Sequence, residues 1–215
     1  MALVCASIAG ACATPYVAVP LAAHPSGAIA GPSVGASAGG VFGTAEDSNV
    51  ISVPYSEGWL RAQAGAGQLD FHMGPGVGSL GYRFDLQPLA TGFGFAVEPF
   101  GGGGYYRVHE QDLGDGTGSD SAYTLILAGG LRFHILIPSG DNFFYISPVL
   151  GVTHIKTDQS DIGEIDDIIT FGTAVGMNLG GRPGTSIELT IHRLSPSDDF
   201  DTDLWIFGPS VGFQL

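Results

Sequence analysis

Residues 121–156 constrain the fold more than any other stretch, because they carry two long runs of alternating side chains joined by a tight turn. In the first run Tyr123, Leu125, Leu127, Leu131, Phe133, Ile135 and Ile137 hold the odd positions, against Thr124, Ala128, Gly130, Arg132 and His134 on the even ones. After a turn at 138–142, the apolar set Phe144, Ile146, Leu150 and Val152 again recurs every second residue, opposite Tyr145, Ser147, Gly151 and Thr153. Successive side chains of a strand point to opposite faces, so the pattern predicts two amphipathic β-strands. Each is roughly 15 residues long, well beyond the common strand length of roughly five or six. Long strands with the bulky apolar residues on one face predict a sheet whose outside meets lipid and whose inside is wet or tightly filled.

Composition supports a dispersed, two-faced use of apolar residues. Hydrophobic residues make up 44% of the 215 and charged ones only 13%, yet beyond the N-terminus there is no uninterrupted apolar run of the ~18 residues that a spanning helix needs. The 35 glycines would weaken helices and are tolerated in curved strands with small inward positions. A formal net charge of −14 excludes nucleic acid as a partner, since its phosphates would be repelled. No internal linker divides the chain after the first 26 residues, so residues 27–215 are expected to form one domain.

Both cysteines, Cys5 and Cys12, lie in the first dozen residues, leaving the body without a disulfide or a cysteine metal site. Residues 1–11 are small and apolar, and Ala9-Gly10-Ala11-Cys12 resembles a bacterial lipoprotein signal. That resemblance implies a lipid on Cys12. Ala11-Cys12-Ala13 also fits an ordinary signal-peptidase site. Residues 14–26, rich in Pro and Ala, suit an extended tether, so residues 1–26 are expected to be signal and tether.

Taken in order, the alternation predicts strands over residues 28–43, 59–66, 68–73, 77–86, 91–108, the two runs of 121–156, then 168–179, 185–194 and 204–215. Ten strands is the expectation, with eight as the alternative. Short links are predicted around residues 65–67, 87–92, 138–142 and 180–184, and longer acidic ones at 44–57, 109–120, 158–167 and 195–203. The Gly74-Pro75-Gly76 turn is short where a long link is due. Such asymmetry is that of an antiparallel up-and-down transmembrane β-barrel with short periplasmic turns and longer outer loops. Closure pairs every backbone group inside hydrocarbon, which an open edge cannot do. A soluble antiparallel β-sandwich is the structural alternative. Pro99, Pro148 and Pro209 fall within strands and predict bulges or edge-like irregularity, because proline removes a ladder hydrogen bond.

With these features in place, the chain resembles the small bacterial outer-membrane β-barrels, and over residues 27–215 the uncharacterised barrel lipoproteins among them. Phe213-Gln214-Leu215, in phase with Trp205, Phe207 and Val211, resembles the terminal strand by which assembly machinery recognises such barrels, although the family prefers a final Phe. The resemblance implies localisation in the bacterial outer membrane, with membrane lipid and the barrel-assembly machinery as partners. Oligomeric state is not readable from the sequence.

The inward parity collects Arg61, Asp70, His72, Arg83, Asp85, Glu98, Arg132, His134, Glu188 and His192. One expectation is a structural network in which the arginines and carboxylates neutralise one another across a narrow lumen. The other is a catalytic constellation, since the resemblance extends to outer-membrane hydrolases that use His with Asp, Glu or Ser. No nucleophile elbow, zinc motif or phosphate loop accompanies it. Carboxylates also crowd one end, at Asp112, Asp115, Asp120, Asp158, Asp161, Glu164, Asp166, Asp167, Asp198, Asp199, Asp201 and Asp203. They predict a solvated acidic rim or, as a weaker reading, a surface module binding Ca²⁺. The functional expectation is an outer-membrane barrel with a structural or narrow solute-path role and no enzymatic activity.

Overall fold

The computed structural model describes residues 33–44, 50–74, 77–88, 92–109, 121–157, 165–180, 184–196 and 204–215. They form ten antiparallel strands: β1 (Ser33–Thr44), β2 (Val50–Ala64), β3 (Gly67–Gly74), β4 (Val77–Gln87), β5 (Gly94–His109), β6 (Ser121–Ser139), β7 (Asn142–Thr157), β8 (Ile165–Leu179), β9 (Gly184–Pro196) and β10 (Leu204–Gln214). Each strand pairs with its neighbours in sequence, and β1 pairs with β10 to close a barrel. Leu215 N donates to Val34 O at 2.9 Å just beyond the seam. Closure answers the strand count with ten and excludes the open sandwich.

Period-two alternation becomes a two-faced wall. Leu60, Leu80, Leu127, Leu150, Val175, Leu189 and Val211 stand outward, each 42–56% exposed. The alternate positions are buried, and Glu57, Arg61, Asp70, Arg83, Glu98, Arg132 and Glu188 all stand there. The ends of β2, β4, β6 and β8 that lead by short links into β3, β5, β7 and β9 lie at one end of the barrel. There Gly65 and Gly140 take the left-handed backbone, at φ of 61° and 64°, that a tight turn requires.

The proline expectation is met in one respect and corrected in another. Beside Pro99 the β4–β5 ladder lapses between Gly81↔Phe100 and Phe84↔Val97. Beside Pro148 the β6–β7 ladder lapses between Arg132↔Val149 and Ile135↔Ile146, and beside Pro209 the β1–β10 ladder lapses between Gly39↔Ser210 and Phe42↔Phe207. In all three the register resumes unshifted, so proline interrupts pairing without inserting a residue. Register shifts occur instead at Asp85/Gln87 and Thr153/Ile155.

Two element boundaries also differ from expectation. The link predicted at 44–57 is strand from Val50 onward, where Pro54 and the small polar residues around it mask the alternation. Likewise β8 begins at Ile165, placing Asp166 and Asp167 in a strand rather than a loop. Cys12, with the rest of residues 1–26, lies outside the described residues, as do the acidic positions 112–120, 158–164 and 198–203.

Candidate functional site

Charged side chains meet in the lumen because glycines on intervening strands leave them room. A Cβ added at Gly81 of β4 would strike the Glu98 carboxylate, so β5's Glu98 reaches across β4 towards β3. Gly176 of β8 leaves room for Tyr145 of β7 in the same way, and the Tyr145 hydroxyl donates to Glu188 Oε2 on β9 at 2.8 Å. Gly35 does this for the indole of Trp59, over which the Arg61 guanidinium lies 4.8 Å from the ring centroid.

Three arginines of the predicted inward set each contact a carboxylate. Arg61 Nε donates to Asp70 Oδ2 at 2.6 Å, and Arg132 Nη1 donates to Glu98 Oε1 at 3.1 Å, all four groups being essentially shielded from solvent. Arg83 Nε donates to Asp85 Oδ1 at 3.1 Å, but the Asp85 side chain is 29% exposed. Asp85 therefore belongs to the rim at the short-turn end, where the register shifts, and not to the buried interior. The Arg132 guanidinium also lies 5.2 Å from the Phe100 ring centroid.

The histidines divide into three environments. His72 Nε2 faces Asp70 Oδ1 at 3.1 Å, and its Nδ1 faces Glu57 Oε1 at 3.5 Å. His134 lies between Ser147 and Glu98, with Nδ1 3.2 Å from Ser147 Oγ and Nε2 2.8 Å from Glu98 Oε2. His192 is buried beside Gly172 and hydrogen-bonds through neither ring nitrogen. Glu188, two pleats from it on β9, engages Tyr145 instead.

Ser147–His134–Glu98 has the connectivity of a nucleophile, base and orienting carboxylate. It is also sealed. Two residues towards the short turns, Leu136 and Tyr145 join Phe143 and Ala174 in a buried apolar cluster. Two residues the other way, Phe100 and Val149 form a second one. Ser147 and His134 retain 1% and 0% exposure.

Sequence reasoning missed several members of this interior. Glu57 was hidden in the stretch read as a loop. Ile126, Leu136, Phe100 and Phe143 share the polar parity, so a rule of apolar outside and polar inside passes over them. The signal for Ser147 was its place on β7's small and polar face, but pairing it with His134 requires the β6–β7 register.

No protein-family model matches the chain, and no curated protein matches it in sequence. Among solved structures it is similar to Ail, the attachment invasion locus protein of Yersinia pestis, at 10% identity over 87% of this chain and all of that one, with a TM-score of 0.40. The β domain of the Bordetella autotransporter BrkA is similar at 13% identity over 86% and 99%, with a TM-score of 0.44. The outer membrane enzyme PagL is similar at 13% identity over 83% and 98%, with a TM-score of 0.35. These are likenesses of fold. The chain's own strand pairing makes it an all-β, closed barrel of ten antiparallel strands.

Proposed function

We propose that this chain spans the bacterial outer membrane as a filled barrel with a structural role, anchored additionally by a lipid on Cys12. One observation carries the reading. A ring of Leu, Val and Phe faces outward, while a paired polar interior is closed above and below by the Phe100–Val149 and Leu136–Phe143–Tyr145–Ala174 clusters. Half-exposed leucines all around a closed sheet have no aqueous rationale, whereas hydrocarbon accepts them at no cost. Buried ion pairs in a dry lumen stabilise one arrangement, because breaking a pair strands a charge. Nothing in that chemistry calls for a transported solute.

The test is insertion into vesicles of brominated phospholipid, with a fluorophore at one cysteine introduced in turn at Leu127 and Ala128. Quenching at 127 and not at 128 is expected; equal quenching, or a chain that stays in the aqueous phase, overturns the reading. For the anchor, mass spectrometry of the mature N-terminus should find the lipid on Cys12, and an unmodified start beyond it removes that part alone.

A second reading, an envelope hydrolase, is favoured by the Ser147–His134–Glu98 chain. In it Ser147 Oγ would attack an ester carbonyl while His134 takes the hydroxyl proton. Labelling with a fluorophosphonate decides between the two. The filled barrel stays unlabelled, whereas a hydrolase labels and loses the label in Ser147→Ala.

A further inference from the structure

The pairing of the lumen leaves one group of ligating atoms facing one another without hydrogen bonds. Asp70 Oδ2 takes the hydrogen bond of Arg61, but Asp70 Oδ1 takes none. It stands 3.1 Å from His72 Nε2, and neither His72 nitrogen is in hydrogen-bond geometry although the residue is only 3% exposed. Glu98 arrives from β5 across Gly81, bringing a carboxylate oxygen into a set with Asp70 and His72 whose ligating atoms all lie within 4.8 Å of one another. Behind the imidazole, Glu57 Oε1 lies 3.5 Å from Nδ1.

We propose that Asp70, His72 and Glu98 bind one divalent first-row transition-metal ion, Zn²⁺ by preference, with Glu57 orienting His72 from behind. With no proton on Nε2, the imidazole lone pair and the carboxylate oxygen repel at this distance, and a metal ion between them removes the repulsion as a proton would. Ligands held at about 2.0–2.1 Å around a tetrahedral ion stand about 3.3 Å apart, close to the His72–Asp70 separation. One imidazole nitrogen with carboxylate oxygens suits Zn²⁺ or a neighbouring transition metal better than Ca²⁺ or Mg²⁺, which prefer oxygen alone. A carboxylate on the far nitrogen is the usual support of a ligating histidine, fixing its tautomer and raising its basicity.

The neighbouring cations leave room for the ion. Arg61 occupies Asp70 Oδ2, while Arg132 and His134 take one hydrogen bond each on the two Glu98 oxygens. A carboxylate offers about four lone-pair sites, so both residues retain acceptor capacity. Charge also favours it. The four buried carboxylates Glu57, Asp70, Glu98 and Glu188 face the three guanidiniums of Arg61, Arg83 and Arg132, a formal charge of −1 with neutral histidines, so a cation meets a net acidic interior.

The site is buried, so metal has to enter as the barrel folds. The full chain is refolded into detergent with excess Zn²⁺, or with Co²⁺ or Mn²⁺ in parallel, then desalted and analysed for metal. One equivalent of Zn²⁺ per chain is expected in the wild type and in His192→Gln, with loss in His72→Gln. Glu57→Gln should weaken retention by about 10- to 100-fold, as expected for the carboxylate behind a ligating histidine. The Co²⁺-loaded wild type should show the visible absorption of a four- or five-coordinate ion. If His72→Gln fails to fold, that spectrum and the Glu57→Gln titration decide. A wild type that retains none of the three metals overturns the proposal and leaves a proton between His72 and its carboxylates. Equal retention by His72→Gln, or a Co²⁺ spectrum of a six-coordinate surface ion unaffected by Glu57→Gln, overturns it by placing the metal elsewhere.

Discussion

At the scale of single residues, the interior is built from large side chains passing over glycines. Gly81 passes Glu98, Gly176 passes Tyr145 and Gly35 passes Trp59, each glycine lying one strand away from the side chain it admits. Parity places these glycines on the inward face, but it cannot say what crosses them, because the partner is chosen by register between strands. A methyl group at Gly176 would meet the Tyr145 ring and its hydroxyl. Gly176→Ala is therefore expected to destabilise the barrel by about 1–3 kcal/mol, the usual cost of overpacking. Glu98→Ala should cost more, about 3–5 kcal/mol, since it removes the buried carboxylate that Arg132 and His134 share. Equilibrium urea unfolding in vesicles measures both. If Glu98→Ala is the milder of the two, the interior is held by shape rather than by charge.

At the scale of strands, the alternation was legible wherever bulky outward residues followed one another. Residues 121–137 and 185–194 read as strands for that reason and fold as β6 and β9. It failed where large apolar residues do not recur at every second position, as over residues 50–57 of β2, which hold Ser52, Pro54 and Ser56. The three proline lapses are a related case: the sequence located them, while only the ladder reveals that the register survives. Pro148 offers a direct measurement. It is partly exposed on the outer face of β7, and the ladder to β6 is missing beside it. Pro148→Val restores an N–H with Phe133 opposite in the continuing register, and a net gain of about 0.5–1.5 kcal/mol is expected for one recovered hydrogen bond. No gain would mean that the proline's rigidity matters as much as its lost donor. On the neighbouring strand, Leu127→Arg carries a charge onto the outer face and is expected to cost about 2–4 kcal/mol near the membrane midplane. Folding yields into vesicles as high as the wild type's would place Leu127 outside the hydrocarbon.

At the scale of the whole molecule, the wall is uneven. With a rise of ~3.4 Å per residue and a tilt of ~40°, the eight residues of β3 reach ~21 Å and the 19 of β6 reach ~50 Å. The short turns share one end, so the excess of β6 and β7 stands towards the long connections. At that end His154 Nδ1 of β7 and Asp167 Oδ1 of β8 lie 2.8 Å apart. The lumen is crossed by the layers described above, and the apolar layer nearest the short turns is the simplest to remove. Leu136, Phe143 and Tyr145 are each 1% exposed, whereas Phe144, their neighbour on the outer face, is 47% exposed. Replacing Phe143 and Tyr145 together by Ala takes two rings out of the interior and also frees Glu188 from the Tyr145 hydroxyl, letting water reach the carboxylate from that end. In planar bilayers the wild type is expected to pass no steady current, because paired side chains and apolar layers fill the path. The double variant should raise brief, cation-favouring openings, since carboxylates outnumber guanidiniums in the interior. Phe144→Ala, altering lipid contact alone, should stay silent. A steady current through the wild type would mean that the lumen is an open path, and current from Phe144→Ala equal to that of the double variant would mean that ions pass at the barrel's surface rather than through it.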